Sequence, residues 1–257
     1  MTSKMPVLFI GHGSPMNAIE KNEFSQSWKD IGRILATPRA ILAISAHWET
    51  RGTQITAMEK PRTIHDFYGF PRQLFEITYP APGSPDLAQS IKELSRKAVI
   101  QPDLNWGLDH GTWSVLVRMF PKAKIPVVQL SLDRLKTPLE HYQLGQQLKE
   151  LREQGILVIG SGNIVHNLQL AVFDENLKFD WAEAFDRQVK ELIDAGDHES
   201  LINYDKLGQT AARAINSAEH YLPLLYTLGL KDEIDPITYF AEKVTLGSIS
   251  MRSIKFG

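Results

Sequence analysis

The sequence predicts an α/β fold: one domain over residues 1–257, with a central, mostly parallel sheet that helices cover on both faces. Two observations support this class. Short apolar runs rich in Ile, Val and Leu alternate with segments of helical hydrophobic period, as expected for strands buried on both faces. The chain is also 43% hydrophobic over 257 residues, which is enough for one large core.

Each element has its own signal. Apolar runs at 7–10, 40–46, 125–132 and 156–159 predict buried strands, and alternation at 244–254 predicts a final edge strand. A second helix is predicted to begin at Pro85 with Ser84 as its N-cap. Helical spacing is shown by Phe24, Trp28, Ile31 and Leu35; by Leu87, Ile91, Leu94 and Ala98; by Leu144, Leu148 and Leu151, before Gly155; and by Trp181, Phe185, Val189 and Leu192.

Composition excludes several classes of function. The 28 basic and 30 acidic residues give a formal charge of −2, which offers no phosphate-seeking surface and argues against a nucleic-acid partner. The absence of cysteine removes disulfides, thiolate nucleophiles and Cys-containing metal sites. Apolar runs are strand-sized and no leader pattern is evident, so we expect a cytoplasmic protein without membrane attachment. The sequence is compatible with a homo-oligomer.

Three of the eight histidines follow predicted strands. His12 follows the run 7–10, His47 follows the run 40–46, and His166 comes shortly after the run 156–159. Ligands of open α/β sheets bind at the carboxyl ends of strands, and neutral imidazole is a common ligand of first-row metals. We therefore predict metal ligation by His12, His47 and His166, and also by His220, which lies in a short polar insertion.

The other histidines receive different interpretations. His110, between Asp109 and Gly111, is predicted to act as an acid or base. His65 is equally compatible with loop packing and with substrate contact. Trp48 is compatible both with an aromatic wall that binds substrate and with packing in the core. His141 and His198 lie in helix-like polar surroundings and are predicted to be solvated surface residues.

Two long irregular segments interrupt the alternation, at 59–83 and at 103–113, and such segments are commonly functional loops.

Motifs for a bound cofactor or a serine nucleophile are weak. The turns at Gly11 and Gly160 lack the third glycine of a dinucleotide fingerprint, so a nicotinamide cofactor is not expected. Neither Ser14 nor Ser161 lies in a Gly-x-Ser-x-Gly elbow, which argues against a serine hydrolase.

Seven motifs in order resemble one family over nearly the full length of the chain. It is the family of DOPA extradiol dioxygenases, within the class III, LigB-like ring-cleaving dioxygenases, and the resemblance is close to its bacterial members. The motifs are the segments 11–17, 45–48, 63–67, 79–83, 109–111, 161–168 and 219–225.

The resemblance implies a mononuclear metal site on His12, His47 and His220, with His166 as a fourth ligand or a base and His110 as an acid or base. More distant class III enzymes use two histidines and a carboxylate. The matching end of this sequence instead offers His220, with Glu219 next to it, so an all-histidine site is expected here. Such a site suits Zn(II) as well as Fe(II). Fe(II) is expected for activity, because O₂ chemistry needs a redox-active centre.

The implied reaction is extradiol cleavage of a catechol, such as L-DOPA or caffeate, with O₂ to a muconic semialdehyde. The alternative from the residues is a zinc hydrolase, in which a histidine-bound metal activates water and Glu219 or Asp109 serves as the carboxylate base. A metal-binding protein without turnover is a third interpretation. Oxygen-independent, zinc-dependent turnover would distinguish the hydrolase.

Overall fold

A computed structural model describes residues 4–95 and 98–257; part of the N-terminal segment that we examined for a leader, residues 1–3, lies outside it. Eight strands of the described residues form one sheet in the order β5-β3-β7-β2-β8-β1-β12-β9. The strands are β1 (Val7–Gly11), β2 (Ala40–Thr50), β3 (Thr53–Thr56), β4 (Arg62–Thr63), β5 (Ile100–Asp103), β6 (Gly107–Leu108), β7 (Val127–Asp133), β8 (Ile156–Gly162), β9 (Ile237–Phe240), β10 (Val244–Thr245), β11 (Ile249–Ser250) and β12 (Ser253–Phe256).

The centre of the sheet is parallel, since β7, β2, β8 and β1 pair in the same direction. The outer pairs β3–β7, β1–β12 and β12–β9 are antiparallel. Successive residues of β1 alternate between two cores: Val7 and Phe9 belong to one apolar layer, while Leu8 and Ile10 belong to the other. This alternation is what a strand covered on both faces requires, and the predicted fold class is confirmed.

Helices supply both covering layers. They are α1 (Glu23–Ile34), α2 (Arg72–Phe75), α3 (Pro85–Leu94), α4 (His110–Met119), α5 (Pro138–Gln147), α6 (Glu150–Glu153), α7 (Asp180–Ala195), α8 (His198–Ile202), α9 (Gln209–Ala214) and α10 (Leu222–Leu230), with short 3₁₀ turns at Pro15–Ala18 and Tyr204–Lys206. The predicted start of α3 is confirmed, because the Leu87 N–H donates to the Ser84 hydroxyl at 3.2 Å and Pro85 occupies the first turn.

Three predicted boundaries are wrong. The helix expected to run to Gly155 is divided into α5 and α6, and Gly155 adopts φ +79° after α6. The segment 244–254 does not form an edge strand: β10 and β11 pair with each other, β12 pairs with β1, and β9 lies at the edge. The segment 103–113, which was predicted to be irregular, contains β6 and the first turn of α4. Asp109 caps α4 by accepting a hydrogen bond from the Thr112 N–H at 3.1 Å.

His141 and His198 are not solvated, in contrast to the prediction. α5 packs against α10, and this packing turns His141 inward: it is fully buried, with Nδ1 3.0 Å from the Tyr226 hydroxyl. His198 is half-buried, and its Nδ1 lies 2.9 Å from the Tyr142 hydroxyl. Polar neighbours in the sequence did not reveal which helix face would be covered.

Burial of His141 predicts acid sensitivity of the fold. Burial, and then the charge of Lys136, lower the pKa of His141 to about 4. An unfolded histidine titrates near 6.5, so stability is lost as pH falls from about 6.5 to about 4, by at most roughly 3 kcal/mol at about 1.36 kcal/mol per pKa unit. His141→Gln should therefore flatten the decline in the free energy of unfolding over this window, measured by urea titration. Parallel curves for variant and parent would contradict the prediction.

Candidate active site

Three histidines from distant parts of the chain meet at the carboxyl edge of the parallel strands. One ring nitrogen from each of His12, His47 and His220 lies within 4.8 Å of those of the other two. The Nε2 atoms of His12 and His47 are 3.1 Å apart. The ring centroids of the three histidines are 5.0–5.3 Å from one another. The sequence expectation that these imidazoles converge agrees with this geometry.

Strand order explains the convergence. β2, β8 and β1 are adjacent and parallel, so their carboxyl ends share one edge. His12 directly follows β1, whereas His47 lies inside β2, which continues to Thr50 beyond an irregularity in its pairing with β7. His220 precedes α10 and is held beside β8, because the Asn163 N–H donates to the His220 carbonyl at 2.8 Å.

Gly162 is required for this last approach. A Cβ at residue 162 would stand 2.1 Å from the carbonyl oxygen of His220. Any side chain there would push the segment that carries His220 away from β8, since backbone cannot yield as a flexible side chain can. The glycine of the Ser161-Gly162-Asn163 motif is therefore needed for close packing against the third histidine.

The Nδ1 atom of each clustered histidine has an oxygen partner. Nδ1 of His12 is 3.0 Å from the Ser161 hydroxyl, Nδ1 of His220 is 2.9 Å from Oε1 of Glu219, and Nδ1 of His47 is 3.4 Å from Oδ2 of Asp66. Partners of this kind fix the ring orientation of metal-ligating histidines and leave Nε2 as the coordinating atom. Within the described residues, the buried Nε2 of His220 has no hydrogen-bond partner.

The cluster is neutral at ordinary pH. Burial, and then the neighbouring histidines, hold the pKa of His12 and that of His220 well below their usual range. Burial and the charge of His110 lower the pKa of His47 to about 3. Metal ligation needs the unprotonated imidazole, so no proton has to be removed from these rings near neutral pH.

These residues fit a bound metal ion. At metal–nitrogen bonds of about 2.0–2.1 Å, two ligand nitrogens stand roughly 3 Å apart, as Nε2 of His12 and His47 do. The unpartnered, buried Nε2 of His220 is a polar atom that coordination would satisfy. Imidazole donors of this kind suit both iron and zinc.

His110 lies beside the cluster and is paired with a carboxylate. Its ring centroid is 3.8 Å from that of His47. The Nδ1–H of His110 donates to Oδ2 of Asp66 at 2.9 Å, and its backbone N–H donates to Oδ1 at 2.9 Å. Burial alone would raise the pKa of Asp66, but the hydrogen bond and charge of His110 outweigh it and lower that pKa. An ionised Asp66 keeps the proton of His110 on Nδ1 and leaves its Nε2 as an acceptor.

A buried polar network supports α4 from behind. The Ser45 hydroxyl donates to Oδ1 of Asp109 at 2.7 Å, and the Gln129 amide donates to Oδ2. Burial, and then the charge of Asp66, raise the pKa of Asp109 to about 6. Because Asp109 also caps α4, this network fixes the first turn of the helix, where His110 lies.

His166 reaches the same rim in a different way. Its ring stacks on that of His220, with centroids 3.4 Å apart and planes inclined by 8°. Its ligand nitrogen groups with Glu219 and His220 rather than with His12 and His47. Burial lowers the pKa of His166 to about 4, although the charge of Glu219 opposes this change.

His65 and Trp48 have other partners. Nε2 of His65 donates to the Ile77 carbonyl at 2.9 Å, and its ring lies edge-on to Trp113 at 5.5 Å. Trp48 is buried and stacks on Trp106, with centroids 5.5 Å apart and planes inclined by 4°. These contacts favour the packing interpretation for both residues.

Sequence reasoning did not select Asp66 or Glu49. Asp66 adjoins His65 in the 63–67 motif, and this position in the sequence was the one signal that could have indicated it. Glu49 lies two residues beyond His47 and forms an ion pair with Arg134 at 3.8 Å. Burial raises the pKa of Glu49; the charge of Arg134 opposes this change and the charge of Glu219 adds to it.

A cluster of histidines with buried or half-buried rings at the carboxyl edge of a parallel sheet is typical of a metal-dependent α/β enzyme. Comparison with known proteins identifies the family: the family model described as "Catalytic LigB subunit of aromatic ring-opening dioxygenase" matches residues 5–250. The chain belongs to this LigB family of ring-cleaving dioxygenases, as the sequence motifs predicted.

Relatives cover nearly the whole chain. The chain is 47% identical to a "4,5-DOPA dioxygenase extradiol" of Escherichia coli K12, over 100% of this chain and 96% of the relative. It is 36% identical to a protein of the same name from Beta vulgaris, over 96% and 95% of the two chains. A solved structure of an uncharacterised protein of Escherichia coli K12 matches with a TM-score of 0.84 and 41% identity, covering 98% of this chain and 100% of that one.

These comparisons confirm that the chain is a ring-cleaving dioxygenase and that it has the predicted α/β fold. The family is metal-dependent, which agrees with the histidine cluster. No helix of the described residues combines the length and apolar content needed to cross a bilayer.

Proposed function

We propose that the chain opens the aromatic ring of a catechol with O₂ at a metal held by His12, His47 and His220, and releases a muconic semialdehyde. Convergence of one nitrogen from each of these three histidines supports the proposal most directly. Both oxygen atoms enter the product, because the C–C bond beside one hydroxyl and the O–O bond break while a carboxylate and an aldehyde form. When bound, Fe(II) supplies a redox-active centre for both catechol and O₂; the same imidazole ligands also suit Zn(II).

The residues around the ligands handle protons. Nε2 of His110 accepts a proton from a catechol hydroxyl, because Asp66 holds the other ring nitrogen protonated. His166 lies outside the three-ligand set and acts as the second acid or base; it stacks on His220, whereas His110 lies beside His47. The ring of Phe67 lies edge-on to that of His110, with centroids 5.5 Å apart, and 6.2 Å from that of Trp113, so apolar surface borders this side of the site.

Oxygen consumption tests the function. Protein loaded anaerobically with Fe(II) and then given a catechol should consume one O₂ per ring and form a yellow product. The same protein loaded with Zn(II) should consume none. Absence of oxygen uptake with a panel of catechols would overturn the proposal, and hydrolysis of an ester or amide by the zinc form would instead support a zinc hydrolase.

Asp66 should be needed for His110 to act. In Asp66→Asn the amide keeps the shape of the side chain but no longer fixes the proton on Nδ1 of His110, so we expect kcat to fall by about 10²-fold or more. Metal content should change less, because the contact of Asp66 with His47 is longer, at 3.4 Å. Unchanged kcat in a variant that retains its metal would contradict this role.

A further inference from the structure

Two buried serines lie side by side behind the histidine cluster, on neighbouring strands of the sheet. Ser45 of β2 and Ser161 of β8 are registered partners in the parallel pairing of these strands. The Ser45 hydroxyl donates to Oδ1 of Asp109, the capping residue of α4, at 2.7 Å. The Ser161 hydroxyl donates to the Gly111 carbonyl, in the first turn of α4, at 2.5 Å. The start of α4 is therefore bonded directly to the centre of the sheet.

Ser161 also contacts His12, and the direction of that hydrogen bond is determined. A hydroxyl has one hydrogen and a carbonyl oxygen can only accept, so Gly111 uses the hydrogen of Ser161. Nδ1 of His12 lies 3.0 Å from Oγ of Ser161, and this contact is a hydrogen bond only if the imidazole donates. The proton of neutral His12 is thus held on Nδ1, which leaves the lone pair of Nε2 for a metal.

The same directions argue against Ser161 as a nucleophile. A nucleophilic serine gives its hydrogen to a base such as histidine. Here the hydroxyl hydrogen goes to the Gly111 carbonyl, and the imidazole of His12 is the donor. The Ser161 side chain is therefore arranged to orient His12 rather than to be activated by it.

The first turn of α4 contacts a second histidine of the cluster. A Cβ at residue 111 would stand 2.9 Å from Cδ2 of His47, so the absence of a side chain at Gly111 allows this close packing. His110, the acid or base of the proposed function, belongs to the same turn. One helical turn thus carries His110, packs against His47 and contacts His12 through Ser161.

We propose that Ser161 is a positioning residue for the metal ligand His12: it accepts the Nδ1–H of His12 and links this imidazole to the first turn of α4. The turn that carries His110 then also sets the ring orientation and the tautomer of a ligand. The inference rests on the proposed metal ligation by His12, but it does not depend on ring cleavage.

The tautomer of His12 in the metal-free protein tests the first part of this inference. Long-range ¹H–¹⁵N correlation spectra distinguish the protonated from the unprotonated nitrogen of a neutral imidazole. His12→Gln assigns the signals of His12 by their loss. The parent chain should carry the proton of His12 on Nδ1. A proton on Nε2 of His12 in the parent would overturn the inference before any variant of Ser161 is made.

Ser161→Ala should weaken zinc binding. Without the acceptor the imidazole of His12 can rotate or change tautomer, so we expect the Kd for Zn(II) to rise about 10–100-fold, the usual effect of losing such a partner. The Nε2–H tautomer of His12 should appear in the same variant. Competition with a chelating indicator measures the Kd, and circular dichroism verifies the fold. If the variant does not fold, the tautomer of the parent decides alone.

Ser114→Ala is the matched control. Ser114 is an equally buried serine of α4, and its hydroxyl has no hydrogen-bond partner among the residues that the structure describes. Its removal should leave both the Kd for Zn(II) and the tautomer of His12 as in the parent. An equal loss of zinc affinity in Ser114→Ala would assign the effect to packing of α4 and overturn the inference.

The remaining outcomes separate this inference from the proposed function. An unchanged Kd or an unchanged tautomer in a folded Ser161→Ala would overturn the inference while ring cleavage stands. A parent that binds Zn(II) through the predicted tautomer, but consumes no O₂ with catechols when loaded with Fe(II), would refute ring cleavage and leave the role of Ser161 intact. A parent that binds no divalent metal would overturn both.

Discussion

His47→Ala is expected to lower metal affinity by more than about 10²-fold and to abolish oxygen uptake with every catechol. Loss of an outer-shell partner typically costs about 10–100-fold in metal affinity, and removal of a ligand should cost more. His47 has a half-buried side chain, so the fold should tolerate alanine better there than at buried His12 or His220. Metal per chain, measured after dialysis against a weak chelator, reports the effect.

Two further variants show whether the effect is specific. His198→Gln alters a half-buried histidine that contacts Tyr142 outside the cluster, and it should keep full metal content and activity. His166→Ala should retain its metal, because His166 stacks on His220 without joining the three-ligand group. Full metal occupancy in His47→Ala with native circular dichroism would exclude His47 as a ligand, and loss of metal in His166→Ala would add a fourth.

His110→Gln is expected to lower kcat by about 10²–10⁴-fold, the usual contribution of a general acid or base, while metal content stays unchanged. Asp66 accepts hydrogen bonds from both the backbone N–H and the ring Nδ1–H of His110. These bonds hold the imidazole with its centroid 3.8 Å from that of His47. Single-turnover measurements with Fe(II)-loaded protein would show whether the loss lies in the chemical step rather than in substrate binding.

The kcat, KM and metal content of His110→Gln distinguish between two roles of His110, as an acid or base and as a metal ligand. A large fall in kcat with KM and metal content preserved identifies an acid or base. A metal-free variant would make His110 a ligand, in agreement with its grouping near His47 and Asp66. A variant as active as the parent would assign proton transfer elsewhere, with His166 as the remaining imidazole at the rim.

The sequence was sufficient for the fold class and for the ligand candidates, and the reason is geometric. Residues that follow parallel strands share one edge of the sheet, so the sequence alone predicts that His12 and His47 lie close together. Continuous apolar runs likewise required cover on both faces, as Leu8 and Phe9 in opposite layers show. His220 had no such strand signal, and it was placed by its resemblance to known family motifs.

Contacts between distant segments were decided only by the tertiary structure. The pairing of Asp66 with His110, the ion pair of Glu49 with Arg134, and the contact of buried His141 with Tyr226 each join residues from separate elements. Local periodicity determines which elements form and roughly where strands end, because it follows the repeat of a helix or strand and the one face that this element buries. It does not determine which helix covers another or which carboxylate reaches which imidazole, since these depend on how all the elements pack at once.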